Sequence, residues 1–456
     1  MSSRKRRVLT SRGVALAALC ELADKREPLG LILEPLLREH GIQGRDVGLV
    51  HSLIMGVLRQ QDYLDWIVAR FSRHPLKKMR LRTLNALRLG VYQLLFLDRI
   101  PASAAVNETV AAFKAGRQPV WLVRVVNGIL RNVARERDNL PTPEAAMREH
   151  PDLLNHPAWL VERWRKHFGQ SRCQRICLTN SAAPPVTLRV NTRLTERGTM
   201  EEMLTAAGIA VRRGKYSDLA LLLPEFHGEI AQLPGYGEGL FAVQDEAAQL
   251  AAMLLAPLAE GDRILDGCAG LGGKTTHLAA MLPPDGELVA VEPDGRRYRL
   301  LGENLERLRM RGVATVNASL EEFAAGTEQR FSNIFLDVPC SGTGVIRRRP
   351  DIRWNRRPEE LSRFRKTQQR LLETAASLLA GGGRLVYATC SLEPEENEEV
   401  VEAFLASHGD FQIQDAGELL PPAARELVTD KGYFQPLPDQ ELDGFFAALL
   451  VNKTTT

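Results

Sequence analysis

Apolar residues recur at helical spacing over the first third of the chain. From residue 8 to about 138 they fall three or four positions apart, as in the run from Val14 to Cys20, which is typical of amphipathic helices. The densest run, Leu84 to Leu95, predicts a central, buried helix. A last helix is predicted over Val123–Val133, with Gly128 in its middle. Because glycine costs about 1 kcal/mol relative to alanine inside a helix, either close packing or the approach of a ligand is expected there.

The pattern changes at the breaker sequence Pro141-Thr142-Pro143. Mixed signals follow from about 150 to 235, with a helix over Pro157–Phe168 and a short strand over Val186–Val190. From Asp262 onward apolar strands alternate with amphipathic helices, which is typical of a doubly wound, mostly parallel sheet. The predicted strands are Arg263–Asp266, Glu287–Val291, Val313–Val316, Ser332–Val338, Gly383–Thr389 and Phe445–Val451, and the predicted helices are Lys274–Met281, Gly295–Met310, Pro358–Leu379 and Pro394–Leu405.

These patterns predict a multidomain protein. An all-α domain is expected over residues 1–142, a small α+β domain over 150–235, and a doubly wound α/β domain over 236–456. A length of 456 residues fits two to four domains.

Composition narrows the class of protein. No run approaches eighteen uninterrupted apolar residues, so we expect no membrane span. The basic segment Met1–Arg7 is not followed by a small-residue cleavage site, so no signal peptide is expected. Six cysteines are scattered without a disulfide framework, which fits a reducing cytoplasm and gives no metal-ligand spacing. We expect a monomer.

Charge is distributed unevenly along the chain. Residues 1–140 contain 24 Lys and Arg against 12 Asp and Glu, and the remainder contains 35 against 44. A basic amino-terminal third joined to an acidic remainder indicates a polyanion-binding module attached to a second function. A solvated surface bias is the alternative.

Two cysteines follow predicted strands that are neighbours in the sheet. Cys340 comes just after the strand that ends near Asp337, and Cys390 comes directly after Thr389. The carboxyl ends of such strands face one crevice, so we expect both thiols and the Asp337 carboxylate in one pocket. A thiolate is a strong nucleophile near neutral pH, and a pair of thiols beside an acid suits attack on an electron-poor ring. The alternative is two buried, inert cysteines.

A glycine-rich loop joins the first strand of the α/β domain to its helix. It spans Asp266 to Thr276. A phosphate-binding P-loop requires glycine where Cys268 stands, and the dinucleotide glycine spacing is also absent. The second strand ends in Glu292, and an acid at that position can accept both hydroxyls of a ribose. These features favour an adenosine-bearing cofactor without a pyrophosphate, namely S-adenosylmethionine.

Several motifs resemble one family. They are Arg189-Val190-Asn191, Val243-Gln244-Asp245-Glu246-Ala247, the glycine-rich loop, Asp337 to Gly342, Thr389-Cys390-Ser391 and Asp443-Gly444-Phe445-Phe446. Over about 150–450 the chain resembles the NOL/NOP/Sun family of RNA cytosine-C5 methyltransferases. Residues 8–138 resemble the NusB-type helical RNA-binding domain, with Asn107-Glu108 and Val126-Asn127-Gly128-Ile129-Leu130 as its marks. The combination resembles the RsmB (Sun/Fmu) branch, whose substrate is small-subunit ribosomal RNA.

The resemblance implies a fold, a reaction and a set of site residues. The α/β domain would be a Rossmann-like methyltransferase domain that transfers a methyl group from S-adenosylmethionine to C5 of a cytidine in 16S ribosomal RNA. Cys390 would add to C6, Cys340 would assist release, and Asp337 would hold the N3/N4 edge of the base. A helix beginning near Pro394 would favour the Cys390 thiolate, and the glutamates of that turn would oppose it. The implied cofactor-binding residues are Cys268, Ala269, Gly270, Leu271, Gly272, Gly273, Lys274, Glu292, Ser319 and Asp337.

The chain departs from the family pattern at two places. Gly270-Leu271 stands where the family has Ala-Pro, and Ser319 stands where an aspartate is common near the adenine. Two alternatives therefore stay open. One is the same chemistry on another structured RNA such as transfer RNA, and the other is a catalytically silent RNA-binding assembly factor.

An arginine cluster follows the first of the two cysteines. Its predicted RNA-binding residues are Arg347, Arg348, Arg349, Arg353 and Trp354. Cations interleaved with an aromatic ring can bind phosphates and stack a base. A solvated charge run is the alternative.

Overall fold

The computed structural model describes residues 8–454, and the basic stretch Arg4 to Arg7 lies outside that range. The chain divides into two compact units. One contains the residues up to 183 together with 346–356, and the other contains 184–345 together with 357–456. No helix within residues 8–454 has the length and hydropathy needed to cross a membrane. The division into the three predicted domains stays a prediction.

The first unit is helical. Its elements are α1 (Ser11–Lys25), α2 (Leu29–His40), α3 (Arg45–Arg59), α4 (Gln61–Phe71), α5 (Leu81–Phe96), α6 (Ala102–Ala115), α7 (Val120–Glu136), α8 (Pro143–Glu149) and α9 (Ala158–Ser181), and the short helix α15 (Asp351–Asn355) packs with them. The predicted central helix is α5, in which Leu87, Leu89 and Val91 are fully buried. Gly169, with φ +77°, interrupts α9 where the predicted helix ends.

A small antiparallel sheet opens the second unit. Its strands are β1 (Val186–Val190), β2 (Arg212–Arg213), β3 (Ala220–Leu223) and β4 (Phe241–Val243), in the order β2-β3-β1-β4, with helix α10 (Arg197–Ala206) beside them. Leu188, Leu204, Leu221 and Phe241 form the fully buried centre of this layer. The predicted strand over Val186–Val190 is confirmed.

The rest of the second unit is a seven-stranded sheet with helices. The strands are β5 (Arg263–Asp266), β6 (Glu287–Val291), β7 (Val313–Val316), β8 (Phe331–Asp337), β9 (Leu379–Thr389), β10 (Phe411–Gln414) and β11 (Phe446–Asn452), in the order β10-β11-β9-β8-β5-β6-β7. The helices are α11 (Glu246–Met253), α12 (Gly273–Met281), α13 (Gly295–Arg307), α14 (Leu320–Ala325), α16 (Glu359–Leu378) and α17 (Glu398–Ser407).

This sheet has the predicted mostly parallel, doubly wound topology. Strands β5 to β9 run parallel, while β11 pairs antiparallel with β9 and β10 with β11. Strand order reverses at β5, whose two neighbours are β6 and β8. Loops at such a reversal form a crevice outside the carboxyl ends of the strands, where ligands bind in open α/β sheets. The loop after β5 and the loop after β8 both start there.

Candidate functional site

Two cysteines meet at the carboxyl end of the sheet. Strands β8 and β9 are paired so that Asp337 lies opposite Ala388, and the chain leaves both strands directly after this pair. The Sγ atoms of Cys340 and Cys390 lie 3.2 Å apart, and both residues are free cysteines that are partly exposed. The predicted proximity of the two thiols is therefore confirmed.

Backbone contacts fix the two cysteine loops against one another. The Gly344 N–H donates to the carbonyl oxygen of Cys390 at 2.9 Å, and the Gly444 N–H donates to the carbonyl oxygen of Gly344 at 2.9 Å. A Cβ atom on Gly344 would lie 2.2 Å from the Gly444 oxygen. Only glycine permits this approach, which holds three separate segments together beneath Cys390.

A buried glutamate links the same loops through its side chain. Glu396 has no exposed surface, and its Oε1 accepts from the Ser341 N–H at 2.8 Å and from Gln368 Nε2 at 3.0 Å. Its Oε2 accepts from Ser391 Oγ at 2.6 Å and from the Ser341 hydroxyl. Ser341 follows Cys340 and Ser391 follows Cys390. The carboxylate therefore bridges the residues next to both thiols, and we call this arrangement the Glu396 bridge.

The surroundings of Cys340 oppose the loss of its proton. The hydrogen bond to Cys390, and then burial, raise the pKa of the Cys340 thiol well above its ordinary value. The charges of Glu396 and Asp337 act in the same direction. These effects favour the protonated form of Cys340, while either sulfur can be the donor in the hydrogen bond that joins the two thiols.

Lys274 and Asp337 form an ion pair beside the thiols. The Nζ atom of Lys274 lies 2.5 Å from Oδ2 of Asp337 and 5.4 Å from the centre of the Phe445 ring. Burial opposes the ammonium charge, but Asp337, and less strongly Cys390 and Asp266, together raise the pKa of Lys274. The cation thus lies in the field of both the carboxylate and the Cys390 sulfur.

The glycine-rich loop turns around the carboxylate of Glu292. Glu292 Oε2 accepts from the Gly270 N–H at 2.8 Å, and its Oε1 accepts from the Asp294 N–H at 2.9 Å. Gly270 and Gly272 adopt φ of +58° and +85°, a region that disfavours residues with a side chain. A carboxylate offers about four acceptor positions, so Glu292 retains acceptor capacity for two ribose hydroxyls.

The other residues predicted for the cofactor differ in how they can take part. The side chains of Cys268 and Ala269 pack on the apolar core, so these two residues can contribute only backbone atoms to a cofactor site. Leu271 is 50% exposed, and its carbonyl oxygen accepts from Asn304 Nδ2 at 2.9 Å. This bond fixes the position where the family has proline.

Ser319 serves as a helix cap. Its hydroxyl accepts from the Glu322 N–H, and its backbone N–H donates to the Glu322 carboxylate at 2.8 Å, which closes a capping box at the start of α14. The contribution of Ser319 to cofactor binding stays a prediction.

Arg189 bonds to the end of the glycine-rich loop, and it is not among the predicted site residues. It is almost fully buried, and its guanidinium donates to Gln244 Oε1 at 2.7 Å, to the Gly273 carbonyl oxygen at 2.8 Å and to Thr276 Oγ1 at 2.9 Å. Burial lowers the pKa of Arg189 to about 9. The sequence signal for this role is that Arg189 and Gln244, whose side chains bond to each other, each lie in a motif shared with the family.

The predicted helix start near Pro394 is wrong. Residues Pro394–Glu396 form a single 3₁₀ turn, and α17 begins at Glu398. Asn397 separates them, because its side chain accepts from Thr389 Oγ1 at 2.6 Å and donates to the Ser391 carbonyl oxygen at 2.9 Å. The effect of a helix N-terminus fades within its first turn, so α17 does not supply the predicted stabilisation of a Cys390 thiolate.

The predicted RNA contact of Arg353 is also wrong. In the first unit the Arg353 guanidinium is fully buried and donates to the carbonyl oxygens of Asn155 at 2.7 Å and Asn180 at 2.6 Å. Trp354 is partly exposed and its Nε1 donates to the Leu58 carbonyl oxygen at 2.8 Å, so its RNA contact stays a prediction.

The remaining arginines of the cluster differ in exposure. Arg347 is only 4% exposed, so it too is unavailable to a phosphate. Arg348 is partly exposed and Arg349 is exposed. For these two residues the RNA contact stays a prediction.

Comparison with known proteins places this geometry in a family. The chain matches the model of the 16S rRNA methyltransferase RsmB/F over residues 252–451, the NusB family over 9–135, and the ferredoxin-like domain of RsmF/B-like methyltransferases over 156–227. It is 36% identical to the ribosomal RNA small subunit methyltransferase B of an Escherichia coli strain, over 97% of this chain and 98% of that protein. The chain belongs to the ribosomal RNA small subunit methyltransferase B family.

Further relatives agree with that membership. The probable methyltransferase B of Bacillus subtilis is 32% identical over 97% of this chain and 98% of its own length. A crystal structure of a methyltransferase homologue from Pyrococcus horikoshii superposes with a TM-score of 0.55 at 28% identity, covering 66% of this chain and 96% of that one. The NSun6 protein of the same organism, solved with SFG, gives a TM-score of 0.58 at 20% identity over 66% of this chain and 99% of its own, and so supports the fold.

Membership confirms the predicted fold classes and the predicted family. The helical first unit contains the NusB match, the small sheet β1–β4 overlaps the ferredoxin-like match, and all but the last residue of the seven-stranded sheet lies within the methyltransferase match. The methyltransferase B family thus combines a helical module with a ribosomal RNA methyltransferase module in one chain.

Proposed function

We propose that this protein methylates C5 of a cytidine in 16S ribosomal RNA through a covalent adduct between Cys390 and C6 of the base. The observation that carries the proposal is the 3.2 Å separation of the Cys340 and Cys390 sulfurs beside the Lys274–Asp337 ion pair. Cytosine C5 is a weak nucleophile. Addition of a thiolate at C6 makes C5 enamine-like and able to accept a methyl group.

The raised pKa of Cys340 and the position of Lys274 support Cys390 as the nucleophile. The hydrogen bond to Cys390, and then burial, raise the pKa of the Cys340 thiol, which disfavours Cys340 as a thiolate nucleophile. Lys274 places a positive charge near the Cys390 sulfur. Cys390 is therefore the thiolate that forms the bond to C6, while Asp337 holds the N3/N4 edge of the base and supports protonation at N3.

Cys340 acts after the methyl group has been transferred. The C5 proton must leave before the bond between Cys390 and C6 can break. Once the Cys390 sulfur is bonded to carbon, it is only a weak hydrogen-bond acceptor, so the largest cause of the raised Cys340 pKa is weakened. Cys340 then loses its own proton to solvent, and its thiolate takes the proton from C5. The electrons of the C5–H bond re-form the C5–C6 double bond, while the bond between C6 and Cys390 breaks and Cys390 leaves as a thiolate.

The loop after β5 fits S-adenosylmethionine, which supplies the methyl group when bound. Glu292 has acceptor positions for the ribose hydroxyls, and Gly270 to Gly273 bring backbone close to a ligand without a side chain in the way. No step of the proposal requires a phosphate cradle, which this loop lacks. The family to which the chain belongs supports the same donor.

Methyl incorporation tests the proposal. The full chain is incubated with labelled S-adenosylmethionine and with either 16S ribosomal RNA or transfer RNA, and methylated positions are located by bisulfite sequencing. Incorporation as 5-methylcytidine into 16S RNA alone, lost in Cys390→Ala, is the expected result. Incorporation only into transfer RNA would replace the substrate, and tight RNA binding without any incorporation would favour the assembly factor and refute the enzyme.

A further inference from the structure

Helix α7 presents a polar face that the proposed reaction does not use. Its opposite side packs into the core of the first unit through Val126, Ile129, Leu130 and Val133. Five exposed residues recur every three or four positions, so they lie along one side of the helix. They are Trp121, Arg124, Gly128, Arg131 and Arg135, and we call this set the α7 face. Val120, Asn132 and Glu136 are also exposed but lie outside this spacing.

Trp121 is exposed in a way that the fold does not explain. Its side chain is 64% exposed, and the preceding Val120 is 66% exposed. Tryptophan usually buries most of its surface, because it carries a large apolar area. An exposed indole at the start of a basic helix can stack on a base.

The three arginines of the α7 face are free to bind an anion. Arg124, Arg131 and Arg135 are exposed, and in the described range 8–454 none of them forms an ion pair. Arg135 donates only to Asn132 Oδ1, at 3.4 Å. The eleven steps along the helix from Arg124 to Arg135 span roughly 16 Å at 1.5 Å per residue. A row of positive charges of this length suits the repeated phosphates of a nucleic-acid backbone better than it suits a single anion.

The surroundings of Gly128 distinguish the two explanations for a glycine inside this helix, which are close packing and the approach of a ligand. A Cβ atom at this position would meet nothing within 4 Å among the described residues, and the residue is exposed. Packing within residues 8–454 therefore does not require glycine, although glycine weakens the helix by about 1 kcal/mol. The approach of a ligand to the helix backbone is the explanation that remains.

We propose that the α7 face binds single-stranded RNA. The arginines contact phosphates, Trp121 stacks on an unpaired base, and the sugar–phosphate chain passes close to the helix at Gly128. Single-stranded RNA is the occupant because a base must be unstacked from its neighbours to lie on an indole. The proposal rests on the RNA methylation proposed above and deepens it, since it locates the surface with which the helical unit holds the substrate.

Salt dependence of binding tests the arginines. Affinity of the full chain for a fluorescent single-stranded 16S RNA oligonucleotide is measured by anisotropy over a range of salt. The triple variant Arg124→Gln, Arg131→Gln, Arg135→Gln should lower the slope of log K against log salt by about 2, because each phosphate contact to a single strand contributes about 0.7.

The control triple removes the same net charge from exposed arginines on other helices. These substitutions are Arg38→Gln, Arg45→Gln and Arg148→Gln. Equal slopes for the two triples would show a diffuse charge effect and would overturn the proposal.

Trp121 and Gly128 are tested without changing charge. Trp121→Leu should weaken RNA binding roughly 5- to 150-fold, the range found for loss of one base–aromatic stack, and Trp121→Phe should retain most of the affinity. Gly128→Ala should raise the melting temperature and yet weaken RNA binding. This opposite movement cannot come from misfolding. Unchanged affinity in Trp121→Leu and Gly128→Ala would contradict RNA binding at this face and would favour an acidic protein partner.

Methyl incorporation by the wild-type chain, measured in parallel, separates this proposal from the function on which it rests. Without incorporation, but with the predicted affinity differences, the enzyme proposal fails and the α7 face stands. With incorporation and identical affinities in all variants, the α7 face fails and the enzyme stands.

Discussion

Replacing Glu396 should damage the chemistry more than the binding of either substrate. In Glu396→Ala the four hydrogen bonds of the Glu396 bridge are lost. The serine hydroxyls can turn to other acceptors, such as one another at 3.0 Å. The Ser341 N–H has less freedom, whereas Gln368 Nε2 keeps its bond to the Pro339 carbonyl oxygen at 3.0 Å. A buried donor left without a partner costs about 1–3 kcal/mol, so the free energy of unfolding should fall by at least that amount.

The effect on rate follows from the position of the bridge. Ser341 and Ser391 are each bonded to the residue that carries a thiol, so loss of the carboxylate lets the Cys340 and Cys390 sulfurs separate. A displacement of about 1 Å at reacting atoms can cost about 100-fold in rate. We therefore expect the single-turnover rate of methyl transfer to fall about 100-fold, with the dissociation constants for S-adenosylmethionine and RNA changed little. Glu396→Gln should recover part of the rate, because its oxygen still accepts from the Ser341 N–H.

The control lies on the same segment of chain. Glu399 is partly exposed and pairs with Arg365 at 2.7 Å, and surface ion pairs contribute little to stability, so Glu399→Gln should behave like the wild type. Rates are measured by rapid quench with RNA in excess, and stability by urea unfolding. A folded Glu396→Ala protein that transfers methyl groups at the wild-type rate would show that the bridge does not position the thiols.

Three further predictions concern the residues around the bridge. Lys274→Met should lower the single-turnover rate at least 10-fold, because it removes the cation 2.5 Å from Asp337; a rate within twofold of wild type would contradict this. Burial raises the pKa of Asp266 to about 6 from 3.8, so its folded form holds a proton that the unfolded form releases, and stability falls as pH rises from about 4 through 6. Asp266→Asn should abolish that fall, about 3 kcal/mol in urea unfolding, whereas parallel pH profiles would refute it. Asn304→Ala should weaken S-adenosylmethionine binding several-fold in calorimetry, since the loop loses its bond to the Leu271 carbonyl; an unchanged dissociation constant would exclude that role.

Much of the fold was predictable because short apolar strands were bounded by clear turn residues. Strands β1, β5, β6 and β7 have the predicted limits, since each is a short run of mainly apolar and β-branched residues between turn signals. The edge strand β10, Phe411–Gln414, is not among the predicted strands, because its four residues give too short a stretch of alternating apolar and polar positions to indicate a strand by themselves. The start of α17 was misplaced because the acidic residues after Pro394 look like a helix N-terminus.

The site was predictable only where strand topology determines position. Parallel strands β8 and β9 bring Cys340 and Cys390 together, and this follows from the order of elements alone. The Glu396 bridge was not predictable, because Glu396 stands among five acidic residues that have the same local pattern. The RNA contact predicted for Arg353 is wrong for a similar reason. Charge in a sequence does not reveal that a guanidinium is buried on backbone carbonyl oxygens.

Trapping of a covalent RNA adduct tests the central claim most directly. Each variant is incubated with 16S RNA and S-adenosylmethionine and analysed on a denaturing gel. Cys340→Ala should accumulate a shifted protein–RNA band, because Cys390 still adds to C6 but the adduct is not released, and Cys390→Ala should give no band. A band with Cys390→Ala and none with Cys340→Ala would contradict the assignment of the two thiols.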